Sequence, residues 1–589
     1  MRFKSPLIAV SAVSMLALSA CGGSGSSSSQ AGGQDTKNLG NTGNATDALA
    51  KGPVTIPGAQ KGGTVTVSTL AGLTTTLDPS EVYYTDAYAY MSGLVVRSLT
   101  QYKYNPDTKQ MVLVPDLATD LGKHNDDFTQ WQFTIRPGVK FENGKTVTAK
   151  DVAFGMTRCM DVATFPTGPC QVYSNVYYKG GSTYKGMYTA PGSKFKGITV
   201  KGSTITIHMA RPFPDMPYWG AFPANGPIPS GKASDPKTYK NHPLSTGPYM
   251  FKSYSLGKSL VLVKNPFWDP ATDPARTQYP DEYDFKSQVP QEKTDQILLA
   301  DTGTGQTTLT YEDLLAPDYQ KMKAQSPERL TLGGQPCTYY WAPDNRKITN
   351  KQVRLALQWA FPYKDYILAR SFIPGVTAIP ANQLMPPGVP GRSAFNVTNH
   401  GDFQTDPAKA KALLKTAGQL GYEIKFLFST DDPTSVKGKD AIVKSLTESG
   451  FKATPVPTTV ADSATVRANP KADINVRSAG WCSDWPSGAT WLPPLYQSTN
   501  PDTSNSLANN LAAFSNKSVD SKMEAIQSLP LAQQGAAWNN LDKEITQKYF
   551  PLFPLFYGGI AQAHGSRIQG DFDDNTLGMP TFKNIWVSQ

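Results

Sequence analysis

Short runs in which apolar and polar residues alternate are separated along this chain by Gly and Pro, and between them lie stretches of helical period. Thr64-Val65-Thr66-Val67-Ser68 follows Lys61-Gly62-Gly63 and reads as the first strand of a folded body. Residues 131–141 read as a strand, a Pro137-Gly138 turn and a second short strand, and Asn143-Gly144 adds a further turn. Thr148-Ala149-Lys150-Asp151 has the capping-box form for a helix entering at Val152, with Asp where Glu is commoner. Two alternating runs around Lys201-Gly202 form a hairpin, and residues 260–267 form a strand ending in Asn-Pro. Asn350 caps a helix that places Val353, Ala356, Leu357 and Ala360 on one face. Asp406-Pro407 opens another helix in N-cap and N1 roles, with Gly418 near its end. Residues 422–429, 436–449 and 451–455 read as strand, helix and strand, with Gly450 stopping the helix, the spacing of a parallel βαβ unit. A strand-like run, 472–477, leads into Ala479-Gly480-Trp481-Cys482-Ser483-Asp484-Trp485-Pro486, whose Gly and Pro rule out a regular helix.

Size changes the picture first. At 589 residues the chain exceeds one compact core, so two or three domains are expected. A hydrophobic content of 39% with 49 Gly and 47 Pro suits a loop-rich α/β protein, and no apolar run after the N-terminus is long enough to span a bilayer. The formal charge of +9 raises the question of nucleic acid, but Lys and Arg are dispersed and no basic block is interleaved with aromatics, so the charge reads as a solvated face. Residues 1–20 have the organisation of a signal peptide: Arg2 and Lys4, an apolar stretch from Leu7 to Leu18, then small residues. Leu18-Ser19-Ala20-Cys21 resembles the bacterial lipobox, which implies that Cys21 is acylated and becomes the N-terminus. Residues 21–60 are Gly/Ser/Asn/Thr-rich with too little apolar content to fold, a tether whose random-coil reach is roughly 35 Å. The protein is thus expected at the outer face of the cell membrane, held by lipid.

The candidate chemistry centres on Asp484, one carboxylate between two indoles. Gly480-Trp481-Cys482-Ser483-Asp484 resembles the Gly-Trp-x-x-Asp motif of the extracytoplasmic solute-binding proteins of peptide-type ABC importers, the oligopeptide- and dipeptide-binding family. Further resemblances run from Gly62 to about Tyr557. They include Gly-Gly-Thr with Leu77-Asp78-Pro79, and Arg136 to Gly144 followed by Thr148-Ala149-Lys150-Asp151-Val152. They continue through Arg211-Pro212-Phe213-Pro214, Ser245-Thr246-Gly247-Pro248-Tyr249, the Val353-Arg354 helix and residues 549–557.

The resemblance implies a bilobal α/β periplasmic-binding-protein-like type II fold with an inserted domain. By analogy lobe I is built from 61–100, 225–336 and 556–589, the insertion from 101–224 and lobe II from 337–555. It implies that Asp484 takes the ammonium group of a peptide, with Trp481 and Trp485 excluding water around the pair. Cys482, Tyr83, Tyr84, Thr85, Tyr339 and Tyr557 complete the expected cleft lining. The family's cation for a short ligand's C-terminus falls here on Ser478, with Arg477 one step away. A cleft closing over the peptide and docking on permease subunits follows, with the protein acting as a single copy and without a cofactor. The family also binds metal chelates, haem, glutathione and oligosaccharides, and a peptide-sensing receptor would have the same sequence features.

Of 5 Cys, setting aside Cys21 leaves Cys159, Cys170, Cys337 and Cys482, an even set that in an exported protein is expected to form disulfides in one of three connectivities. Cys159 and Cys170 are close in sequence and could staple a helix end to the following loop, with Cys337 and Cys482 as the other pair. The resemblance supports this, since oligopeptide-binding members carry a Cys before a Tyr-Tyr strand and another inside the Trp-Cys-x-Asp motif. A zinc site lacks C-x-x-C spacing and a short His motif. A phosphate-binding loop fails because five residues, where four are needed, separate Gly138 from Gly144-Lys145-Thr146. No H-E-x-x-H or G-x-S-x-G is present, so no enzyme is expected.

Overall fold

The computed structural model describes residues 45–47, 49–70, 76–231, 234–395, 403–498 and 506–589. The expected signal peptide, Cys21 and most of the tether lie outside the described residues. Where the tether is described, it is packed against the body, which corrects the expectation that it cannot fold. Ala45 bridges to Leu113, Asp47 accepts from the Leu121 amide, and the Ile56 amide donates to the Tyr279 hydroxyl. Partners supplied by the body replace the apolar core this segment lacks.

In chain order, β1 (Thr64–Ser68) is followed by the short helix α1 (Thr85–Tyr90). Strand β2 (Gln130–Thr134) and helix α2 (Ala149–Arg158) come next. The Thr148 and Asp151 capping box is formed in both directions. Strands β3 (Ile198–Lys201) and β4 (Thr204–His208) make the expected hairpin. The reading of 131–141 as a hairpin is corrected: β2 pairs antiparallel with β4, Trp131 opposite Ile207 and Phe133 opposite Ile205. Val139 accepts from the Val147 amide instead, closing a separate loop around the Asn143-Gly144 turn. A distant strand with matching alternation outcompeted the local partner.

After the four-residue helix α3 (Met216–Trp219), strands β5 (Tyr249–Ser255), β6 (Ser259–Lys264), β7 (Glu282–Lys286) and β8 (Thr308–Thr310) join β1 in one sheet, ordered β8-β1-β7-β6-β5. The second sheet is built on β9 (Leu330–Pro343). Helix α4 (Lys351–Ala360) has the Asn350 cap and buries all four predicted face residues. It is followed by β10 (Ala378–Pro380), α5 (Pro407–Thr416), β11 (Glu423–Ser429), α6 (Pro433–Glu448) and β12 (Lys452–Thr458). Strands β11 and β12 pair in parallel across α6, the expected βαβ unit. Strand β13 (Val476–Cys482) and β14 (Phe553–Ala563) complete the sheet, ordered β10-β14-β9-β13. The run 472–477 is therefore mostly not the strand. Asn475 still bonds to Lys425 and Asp344, and pairing with β9 begins only at Val476 opposite Pro343, so the motif residues Gly480, Trp481 and Cys482 are themselves strand.

Two bodies emerge from the packing. One core unites β1, α1, α2, the β2–β4 sheet and residues near the C-terminus, while two others occupy the region from Tyr340 to Phe556. Several sequence signatures have structural causes. Asp78 holds Arg158 through both carboxylate oxygens at 2.6 and 2.7 Å. Thr246 accepts from the Arg97 amide, and a Cβ on Gly247 would lie 2.6 Å from the Leu94 carbonyl, so that backbone crossing requires glycine. No helix among the described residues is long and apolar enough to cross a membrane.

Candidate functional site

Asp484 lies two residues past β13, the edge strand of its sheet. Strand β13 is fixed to β9 by a seven-pair antiparallel ladder that ends at Cys337 opposite Cys482, and these two cysteines are joined by a disulfide. A Cβ on Gly480 would meet the Tyr339 ring at 2.9 Å, so the motif's glycine gives that ring its place; Tyr339 then stacks on Phe556 at 4.6 Å. Trp481 points its indole N–H at the Thr490 carbonyl, 2.7 Å away, and belongs to the core that contains Tyr340 and Trp491.

Past the strand the chain crosses to the other body. The Asp484 carboxylate, half-buried, accepts hydrogen bonds from the hydroxyls of Tyr173 and Tyr83. Loss of water pushes its carboxyl up to about 6, against the opposing pull of the two hydroxyls. No lysine, arginine or histidine among the described residues contributes to its electrostatic environment. Trp485 inserts among Tyr173, Phe222 and Phe213, with ring centroids at 4.6, 6.2 and 6.3 Å, and is counted in the first body's core although its chain belongs to the second.

The structure thus brings Asp484, Tyr83 and Trp485 together, with Tyr84 and Thr85 next to Tyr83 at the start of α1. It places Trp481 in a core, so only one of the two indoles lies at the crossing. Tyr557 is buried, its hydroxyl donating to the Gln383 carbonyl and accepting from Arg392. Arg477 is committed to Asp344 at 2.9 Å in the interior, which removes it as a partner for a ligand carboxylate. Tyr173 escaped the sequence reading because 311 positions separate it from Asp484. The available signal was its place three residues after Cys170, whose disulfide to Cys159 ties the end of α2 to the turn presenting Tyr173.

Residues 112–503 match the family model described as bacterial extracellular solute-binding proteins, family 5. The chain belongs to that family. This family 5 protein is similar to the periplasmic oligopeptide-binding protein OppA of Salmonella typhimurium, 23% identical over 479 residues, 79% of this chain and 83% of that one. Its fold is similar to that of a clavulanic acid biosynthesis oligopeptide-binding protein, with a TM-score of 0.80, 22% identity and coverage of 94% of this chain and 99% of the other. It is also similar to a periplasmic murein tripeptide-binding protein in its unliganded open form, with a TM-score of 0.68, 20% identity and coverage of 90% and 99%. The architecture is the bilobal binding-protein fold, and the protein is an extracytoplasmic solute-binding component of ABC import, a binding protein and not an enzyme.

Proposed function

We propose that this family 5 protein captures oligopeptides by their free N-terminus and hands them to the permease of an ABC importer. The observation that carries this reading is the carboxylate of Asp484, half-buried between the bodies with hydroxyl donors but no cation. A carboxylate withdrawn from water calls for a positive partner, and a peptide ammonium supplies one. The edge position of β13 supports the same reading, because an extended ligand can add its main chain to an open strand edge. Ligands without an ammonium group, such as most oligosaccharides and metal chelates, would leave Asp484 uncompensated. The lobes are assigned to 61–100 with 225–336 and 556–589, and to 337–555, with 101–224 as the inserted domain. Cys21 carries the lipid that holds the protein at the membrane. The test is mass spectrometry of ligand released on denaturation, followed by calorimetry with that peptide and its N-acetylated form. Tight binding of the free peptide alone is expected; equal affinity for both forms would overturn the reading.

A further inference from the structure

Beyond Asp484 the crossing contains a second acid. Asp215, at the start of α3, is 4% exposed, and its Oδ1 lacks a well-aligned hydrogen bond, the Trp485 indole N–H being the donor that faces the carboxyl. Its Oδ2 accepts from the Ser487 hydroxyl at 3.3 Å, so its contact reaches the same 484–487 segment that supplies Asp484 and Trp485. The groups around it are the Trp485 indole and Ser487 from the opposite body, Tyr218 from its own helix, Tyr177 from the short helix Ser174–Tyr177, and Tyr102 from the strand Thr100–Asn105. Arg211, four residues earlier, lies over the Tyr177 ring at 4.2 Å and forms no ion pair with Asp215. Two buried or half-buried carboxyl groups, Asp484 and Asp215, thus meet the 484–487 segment where it crosses between the bodies.

We propose that Asp215 is a positioning residue that makes seating of the 484–487 segment depend on a proton: the bodies close with the Asp215 carboxyl neutral, and its ionisation favours the open form. When the bodies part, Trp485 leaves its aromatic socket and water reaches Asp215, where the anion is solvated. In the closed form the anion would keep one serine hydroxyl and one poorly aligned indole N–H, a poor exchange for water. Burial pushes its carboxyl up to about 6, in the direction this account requires. The proton taken up on closure comes from solvent and returns there on opening. This device rests on opening and closing of the two bodies and is independent of the ligand's identity.

Hydrogen exchange on the ligand-free full chain tests it, because protection of the amide-bearing residues within 485–491, all but Pro486, reads the opening equilibrium after correction for intrinsic exchange. Asp484 titrates in the same direction, so it is first removed as Asp484→Asn. In that variant protection of 485–491 is expected to fall roughly tenfold between pH 5 and 7.5, the change given by a carboxyl near its ordinary value when open and about 6 when closed. Adding Asp215→Asn should abolish the fall while leaving protection of β9 unchanged. Ser487→Ala on the Asp484→Asn background keeps the acid, removes its hydroxyl donor and should steepen the fall. A flat profile in Asp484→Asn alone, the same fall in the double variant, or no steepening with Ser487→Ala would each overturn the proposal.

Discussion

At the scale of single residues, Asp484 is where burial and charge oppose each other most openly. Its two tyrosine donors stabilise the anion but leave its charge unbalanced, so a ligand ammonium gains an interaction with no competitor among the described side chains. Truncating one partner of such a pair typically costs about 2–5 kcal/mol, so Asp484→Ala should weaken peptide binding by roughly 30-fold to a few thousand-fold. Acetylating the peptide should cost wild type a similar amount. The two changes remove one interaction and should not add, which calorimetry on the four combinations would show. Sequence made Asp484 visible because its motif is contiguous. Tyr173, Phe222 and Asp215 were not visible, and Phe213 was visible only as part of a family motif without a role, because each acts by lying across the crossing from the 484–487 segment, and no local period marks such a position.

Elements whose ends are set by local chemistry were legible in the sequence. Thr148 with Asp151, Asn350, and Asp406 with Pro407 all cap helices as expected, because an N-cap is decided within four residues. Thr148→Ala should therefore lower stability by about 1 kcal/mol, read as a shift in the denaturant midpoint with unchanged slope; no shift would show that the cap is dispensable. Strand partners were less legible, since pairing is chosen by distant segments. The misread 131–141 hairpin and the displaced β13 both reflect this. The consequence for β13 is mechanical: the Cys337–Cys482 disulfide, spanning 145 residues of sequence, fixes the end of the ladder from which Asp484 projects. Replacing both cysteines by serine should lower stability by about 2–5 kcal/mol, and peptide affinity should fall with it as the 483–487 segment loses its fixed origin. Retained affinity at wild-type strength would show that the ladder alone positions Asp484.

At the scale of the whole molecule, the buried charges pull stability in opposite directions with pH. Arg97 and Arg276 share Asp116 and Asp273 in a fully buried network, with Arg97 to Asp116 at 2.7 Å and Arg276 to Asp116 at 2.9 Å. Burial alone would raise the Asp273 carboxyl, but the two guanidinium groups outweigh it and hold the group well below the usual carboxylate range. Its contribution is complete above the unfolded value of about 3.9 and is lost as pH falls further, and Asp273→Ala should cost about 3–5 kcal/mol by leaving buried cations short of a partner. Asp295, Asp313 and Asp542 behave the other way. None has an ion-pair partner among the described residues, although Arg392 acts on Asp542 from a distance, and burial pushes each carboxyl up to about 7. Between the unfolded value and 7 the folded form binds more protons at these three sites, so stability falls as pH rises through that interval. Added positive charge on an already basic surface opposes the gain on acidification, but those exposed charges are screened at ordinary salt, whereas the buried carboxyls are not. Thermal unfolding of the ligand-free protein should accordingly show its highest midpoint near pH 5, a lower one at pH 8 and a steep loss below pH 4. Asn at positions 295, 313 and 542 together should make the arm between pH 5 and 8 shallower, the remainder coming from acids such as Asp484 and Asp215, and leave the acid arm, to which Asp273 contributes, in place. A wild-type midpoint that rises from pH 5 to 8 would mean that these acids find cationic or solvent compensation in the folded protein.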